Sequence, residues 1–226
     1  MILMYPSLIE KTKQHVKARL MREGSGHDWW HTFRVWQTAK YLQSEEGGNL
    51  EFIEVAALLH CAAEHDLRAR ADEKIRSITM AGVLEALEIE EAWHEPIINI
   101  AEGCRYKGRD TQRATTLEGK IVQDANYLDT LGAIGLARGF TAGGYLGRVI
   151  HDPEVKQAVN LSKEAYQRRK REGTSINYFY EKSTQLLPLI NTVTAQEIAA
   201  KRLLFMQNFL NEFKQEWSLE DFKNVN

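Results

Sequence analysis

Cysteine is scarce in this chain: Cys61 and Cys104 are the two in 226 residues, too few for the disulfide framework that holds small secreted domains together. Proline is nearly as rare, at four residues, and Pro96 and Pro188 fall near the ends of apolar periodic stretches, so long helices are unhindered. No apolar run approaches the roughly 20 residues that span a bilayer, and no charged-then-apolar leader precedes Ser7. Alternating strand patterns, internal repeats and low-complexity tracts are missing as well. Excess charge is also absent: the formal net charge of -2 removes the overall basic field that non-specific nucleic-acid binding needs. These absences exclude a disulfide scaffold and a membrane-spanning chain. The expectation they leave is a cytoplasmic protein with neither nucleic-acid nor membrane partners.

What is present is helical periodicity. Apolar spacing predicts helices over about 7–22, 28–46, 49–64, 75–87, 93–104, 117–131, 155–171, 176–189 and 195–217. The fold class is therefore all-α, read as a single helical bundle over 1–226 with its core at about 20–135 and additional C-terminal helices forming a cap at about 153–217. Thr115 and Glu118 have capping-box spacing before the 117–131 helix. The stretch 103–115 is polar and cationic and suits an anion, whereas 139–151, with Gly143, Gly144 and Gly147, reads as a mobile flap. The cationic run of Lys163, Arg168, Arg169, Lys170 and Arg171 reads as a solvated helix face. Leu203, Met206, Phe209 and Leu210 on the last helix read as covering its own core, with contact to a second copy as the alternative. Monomer and homodimer both stay open.

The chemistry sits in two histidine clusters. His27 and His31 are four residues apart, which on a helix puts both on one face and suits metal binding. His60 closes the apolar run Val55-Ala56-Ala57-Leu58-Leu59, and an ionisable group buried there needs a metal or a carboxylate as partner. A third cluster, Gln123-Asp124-Ala125-Asn126-Tyr127-Leu128-Asp129, lies among apolar residues. Asp124 and Asp129 are not expected to share a face closely with Asn126, so only part of the cluster points at one site.

The order His27-Asp28-x-x-His31-x-x-Arg34-Val35, then Ala57-Leu58-Leu59-His60, then Thr116 to Ala125 and Leu131 to Arg138 resembles the HD-domain superfamily. It looks most like the small bacterial single-domain phosphohydrolases, and the likeness runs through Tyr178 to Trp217. The resemblance implies a divalent ion, Zn2+, Mn2+ or Mg2+, held by two histidines and two aspartates, and a small anionic or phosphorylated metabolite or nucleotide as substrate. His31 and His60 match the histidines. The dyad aspartate position is Cys61, the last aspartate position is Asn126, and a His-Ser pair of the family is replaced by Gly103-Cys104. A thiol and an amide in place of two carboxylates remove the negative charge that a hard ion requires.

Three readings follow. His31, His60 and Cys61 hold a softer ion, completed by Cys104 or Asp124. Alternatively, Cys61 is a nucleophile supported by Glu64, His65 or Asp66. In the third, the fold binds a ligand or a protein without turnover; Cys61 on its own also suits a buried small apolar role. Hydrolase-type chemistry in a remodelled pocket is preferred, with Arg34, Lys120 and the Arg105, Lys107 and Arg109 loop meeting the anionic group of a small-molecule substrate.

Overall fold

The computed structural model describes residues 5–63 and 80–224, and every regular element among them is helical. The first three helices are α1 (Tyr5–Leu20), α2 (Trp29–Glu46) and α3 (Leu50–Leu59). Asp28 starts α2 by accepting from the His31 amide, and Asn49 starts α3 by accepting from Glu51 and Phe52. His60 opens a 3-10 turn, His60–Ala63, directly after α3. Then come α4 (Met80–Ala86), α5 (Glu91–Gly103) and α6 (Leu117–Leu128). The first residues of the expected 75–87 helix lie outside the described residues.

Helices α2, α3 and α6 supply the centre of the core: Val35, Ala39, Leu42, Val55, Leu58, Leu59, Ile121, Val122 and Ala125 are all fully buried. Burial of a side chain of Val or Leu size contributes about 1.5–3 kcal/mol, so this apolar face outweighs the cost of placing two histidines beside it. The expected capping box is replaced by a different arrangement. Thr116 rather than Thr115 caps α6, accepting from the Gly119 amide, while Glu118 reaches across to the Asn49 amide at 2.9 Å. The acidic side chain thus ties the start of α6 to the start of α3.

The expected flap is also corrected. Most of it belongs to α7 (Gly132–Tyr145), which packs against α9 (Ser175–Glu181). Gly139 and Gly143, four residues apart, make this packing close. A Cβ at Gly139 would come within 2.6 Å of the Phe179 ring, and one at Gly143 would collide with the Ser175 side chain. Glycine here makes room for a neighbour and not for motion. Gly139→Ala is expected to force Phe179 from its fully buried position at a cost of about 1–3 kcal/mol. Thermal denaturation followed by circular dichroism checks this; an unchanged midpoint would mean that the ring yields freely.

The C-terminal part departs from its expected boundaries at two places. Asn160 adopts a left-handed conformation, so α8 begins only after Ser162 and runs over Lys163–Glu172. Lys182 ends α9, and 3-10 turns at Ser183–Gln185 and Leu187–Leu189 lead to α10 (Val193–Trp217). Gly108, at φ 67, lets the 105–111 loop approach the backbone of Leu161 so closely that a Cβ would clash. There the Arg109 amide donates to the Leu161 carbonyl and the Lys163 amide to Asp110. These bonds fix the cationic loop beside α8. Among the described residues no helix is long and apolar enough to cross a membrane.

Candidate functional site

Helix α2 and the turn after α3 place His31 and His60 edge to face, with ring centroids 5.0 Å apart. Both are buried, at 1% and 0% exposure. The Nδ1 of His31 lies 2.7 Å from Asp129 Oδ2, and the Nδ1 of His60 lies 2.6 Å from the Ala57 carbonyl. A carbonyl only accepts, and so does an ionised carboxylate, so each Nδ1 carries the hydrogen. The two Nε2 lone pairs then face one another at 3.1 Å. Facing lone pairs repel unless a proton or a metal ion lies between them.

Cys61 Sγ is 3.2 Å from His60 Nε2. His31, His60 and Cys61 each offer a donor, and the three donors lie within 4.8 Å of one another. The set fits a divalent ion: two neutral imidazoles with fixed tautomers and one thiol. When bound, such an ion supplies a Lewis acid and lowers the pKa of a coordinated water.

Asp129 orders this end of the site. Its carboxylate accepts a hydrogen bond from His31 Nδ1 and two from Arg34 (Nε at 2.7 Å, Nη2 at 3.1 Å), and it pairs with Arg138 at 3.1 Å. Holding the second nitrogen of a ligating histidine in this way fixes its orientation and raises its basicity. Arg138 also donates to the Gly26 carbonyl at 2.7 Å. It joins the α2 entrance, Asp129 and the adjoining cavity.

That cavity has a volume of about 340 Å3 and lies between α6, α7, α8 and α9. His27 and Asn126 line it, and the His27 ring is 5.6 Å from that of His31. Among the described lining residues seven are Arg or Lys, and none is Asp or Glu. Arg105 and Lys107 come from the polar loop, Arg138 from α7, Arg148 from beyond it, Lys163 and Lys170 from α8, and Lys182 from the end of α9. Arg105 Nε and Nη2, Arg148 Nε and the Tyr127 hydroxyl are buried without a hydrogen-bond partner among the described residues. Burial pushes the Tyr178 phenol up, but Lys182, Lys170 and Arg138 outweigh it and hold the group below the usual tyrosine range. Burial pushes Tyr106 up to about 12 and depresses Arg148, the latter opposed by Tyr178, Tyr166 and Glu181. The positive potential in the cavity is strong enough to favour an anion.

Residues 29–131, which carry both histidines and Asp129, match the model of the HD domain. The chain is also 30% identical over 207 residues to the uncharacterised protein YpgQ of Bacillus subtilis, with 92% of each covered. It belongs to the HD-domain superfamily. Among solved structures, a protein from Lactobacillus plantarum superposes with TM-score 0.82 at 32% identity, covering 94% of this chain and 98% of that one. An HD-superfamily hydrolase from Bacillus thuringiensis gives 0.65 at 35% identity over 95% and 98%. YpgQ in complex with ADP gives 0.72 at 25% identity over 94% and 96%.

Within this HD domain the expected site residues separate into three groups. His31, His60 and Cys61 come together, and Arg105 and Lys107 line the cavity. Arg34, Lys120, Arg109 and Asp124 lie elsewhere. Arg34 is engaged by Asp129, Arg109 is exposed, and Lys120 on α6 is not among the residues lining the cationic cavity. Asp124 is fully buried but faces away from the histidines, with Asn191 and Thr192 donating to it. Burial raises its pKa, opposed by the bonds from Thr192 and Asn191. Cys104 is also occupied elsewhere, with its thiol donating to the Ala101 carbonyl at 3.0 Å. Glu64, His65 and Asp66 lie outside the described residues.

Two placements differ from sequence-based expectation for simple geometric reasons. His27 precedes α2, so the helical spacing to His31 does not apply, although the two rings still touch edge to face. Asn126 and Asp129 are three residues apart and share the inner face of α6, with Asn126 donating to the Cys104 carbonyl. The residues missed were Asp129 as the partner of His31, and Arg148, Lys163, Lys170 and Lys182 as cavity cations. A signal existed for α8: Lys163, Tyr166, Gln167 and Lys170 recur at helical spacing and all line the cavity. The cationic run therefore has an inward stripe, while Arg168 pairs with Glu172 on the solvent side.

Proposed function

We propose that this HD-domain chain is a hydrolase of small phosphorylated compounds, nucleotides among them. The observation that carries the reading is the cavity beside the histidine pair: its described lining holds seven cations and no carboxylate, and buried donors of Arg105, Arg148 and Tyr127 have no partner among the described residues. Unsatisfied buried guanidinium nitrogens are costly, and phosphoryl oxygens meet the fork geometry of arginine well. YpgQ, similar over nearly the whole chain, has been crystallised with ADP, which is the ligand chemistry that this lining suits.

The roles divide by position. Arg105, Arg148, Lys170 and Lys182 would neutralise the phosphates and hold the scissile group toward His27 and Asn126. Arg138, anchored on Asp129, would keep that end in register with His31. His31 and His60 would hold the ion, with Cys61 beside them. The Tyr127 hydroxyl would donate to a phosphoryl oxygen from the cavity floor.

Isothermal titration with ADP and with adenosine tests the binding half. ADP is expected to bind and adenosine to bind far more weakly. Arg105→Ala and Arg148→Ala are each expected to weaken ADP by roughly 10- to 100-fold, the size of one lost charged hydrogen bond. Equal affinity for ADP and adenosine would remove the phosphate assignment. Release of phosphate or pyrophosphate from nucleotides with a divalent ion present tests the second half; tight binding without release would leave a ligand-binding protein in place of a hydrolase.

A further inference from the structure

We propose that Cys61 is a metal ligand and that it makes the His31 and His60 pair a thiophilic site, one that takes Zn2+ or Co2+ in preference to Mg2+ and Mn2+. The inference rests on the reading of the histidines as the metal end of the site, and it is separable from the phosphate assignment because metal uptake needs no substrate.

Donor geometry is the first argument. A tetrahedral ion with nitrogen at about 2.0–2.1 Å and sulfur at about 2.3 Å holds its donors about 3.3 Å apart for two nitrogens and about 3.5 Å apart for nitrogen and sulfur. In the structure Nε2 to Nε2 is 3.1 Å and His60 Nε2 to Cys61 Sγ is 3.2 Å. An opening of roughly 0.2–0.3 Å brings these two pairs to tetrahedral spacing, and the third pair, His31 with Cys61, lies within 4.8 Å and would close around the ion. Six oxygen donors around a harder ion need a different arrangement, and among the described residues no carboxylate joins this group.

Donor chemistry is the second. Two imidazoles and a thiolate are borderline and soft ligands, which select zinc and cobalt over magnesium and manganese. Asp129 and the Ala57 carbonyl already hold both imidazoles in the ligating tautomer. Neither aspartate at the inner end of α6 is suited to ligate, Asp129 being bonded to His31, Arg34 and Arg138, and Asp124 to the start of α10. Binding exchanges the Cys61 S–H bond for a metal–sulfur bond and releases the thiol proton to solvent. No electron changes hands. Among the described residues, His31, His60 and Cys61 are the donors that would hold such an ion.

Cobalt substitution reads this directly. The full-length protein, stripped of metal and titrated with Co2+, is expected to show a thiolate-to-cobalt charge-transfer band in the near ultraviolet together with intense visible bands of tetrahedral cobalt. Cys61→Ser should abolish the near-ultraviolet band, and Cys104→Ser should leave it. Competition should show Zn2+ bound more tightly than Mn2+ by on the order of 100-fold or more, a preference that Cys61→Asp should shrink. Cobalt uptake without the thiolate band, equal affinity for Zn2+ and Mn2+, or no uptake of any of these ions would each overturn the proposal. If Cys61→Ser fails to fold, the spectrum of the unaltered protein and the Cys104→Ser control decide alone. A thiolate band with no affinity for ADP would leave the ion assignment standing and remove the phosphate one.

Discussion

Asp129→Asn is expected to lower the melting temperature by roughly 6–12 °C and, separately, to weaken metal uptake by roughly 10- to 100-fold. The carboxylate is 4% exposed and serves His31, Arg34 and Arg138 together. An asparagine keeps the shape but turns one acceptor into a donor, which then faces donors. Removing one member of a buried charged network costs about 3–5 kcal/mol; the lower end applies here, because Arg34 is one-third exposed and water replaces part of what it loses. At about 2–4 °C per kcal/mol for a chain of this length, the expected fall follows. The metal effect has a different origin. Without a full acceptor at its Nδ1, His31 is free to change tautomer and ring orientation, so its Nε2 is no longer presented as a lone pair. Calorimetry of the metal-free protein isolates the first effect, and titration with Zn2+ isolates the second. A variant that melts lower yet takes up metal unchanged would show that Asp129 supports the fold and has no part in presenting His31.

The histidine pair was legible in the sequence because each of its signals is local. His60 ends an apolar run, and a buried imidazole at that place must be answered from another element. Cys61 follows from the same position. The choice between Asp124 and Asp129 was not legible, since both sit among apolar residues on one helix and which face meets α2 depends on packing. Asp129 turns toward His31 and Asn126 toward the adjoining cavity; Asp124 turns toward Asn191 and Thr192 before α10, 67 and 68 residues further along the chain. The cationic cavity shows the same limit. Arg105 and Lys107 were identified because they lie in one polar loop. Lys163 and Lys170 were assigned to solvent because a run of cations has no intrinsic direction, and the docking of the 105–111 loop against the start of α8 decides it. The glycines of α7 were misread because their low helix propensity was weighed without the closeness of Phe179 and Ser175. Such closeness is a tertiary property, and it reverses the meaning of a glycine from freedom to fit.

Asp124→Ala tests that distinction from the other side, for it should cost stability on a similar scale while leaving metal uptake intact. One oxygen accepts from the Asn191 amide and side chain, the other from the Asn191 amide and from the amide and hydroxyl of Thr192. Thr192 is the N-cap residue of α10 and supplies no side-chain cap of its own. Asp124 therefore holds the residues that lead into α10 from another helix, its charge against the positive end of the α10 dipole, while Glu46 accepts from the Thr194 amide in the first turn. Truncation leaves several buried donors without an acceptor, each worth about 1–3 kcal/mol. Some regain water or shift, so a total near 3–5 kcal/mol, or roughly 6–20 °C, is expected. The loss should start at α10: hydrogen exchange of the Ala199 amide should rise before that of Val55 and Leu58, since the start of α10 keeps only its bond to Glu46 while α3 keeps its own cap. Zn2+ affinity equal to that of the unaltered protein would separate the two aspartates by role. A parallel loss of metal would instead make Asp124 a ligand after all and require α6 to rotate when the ion binds.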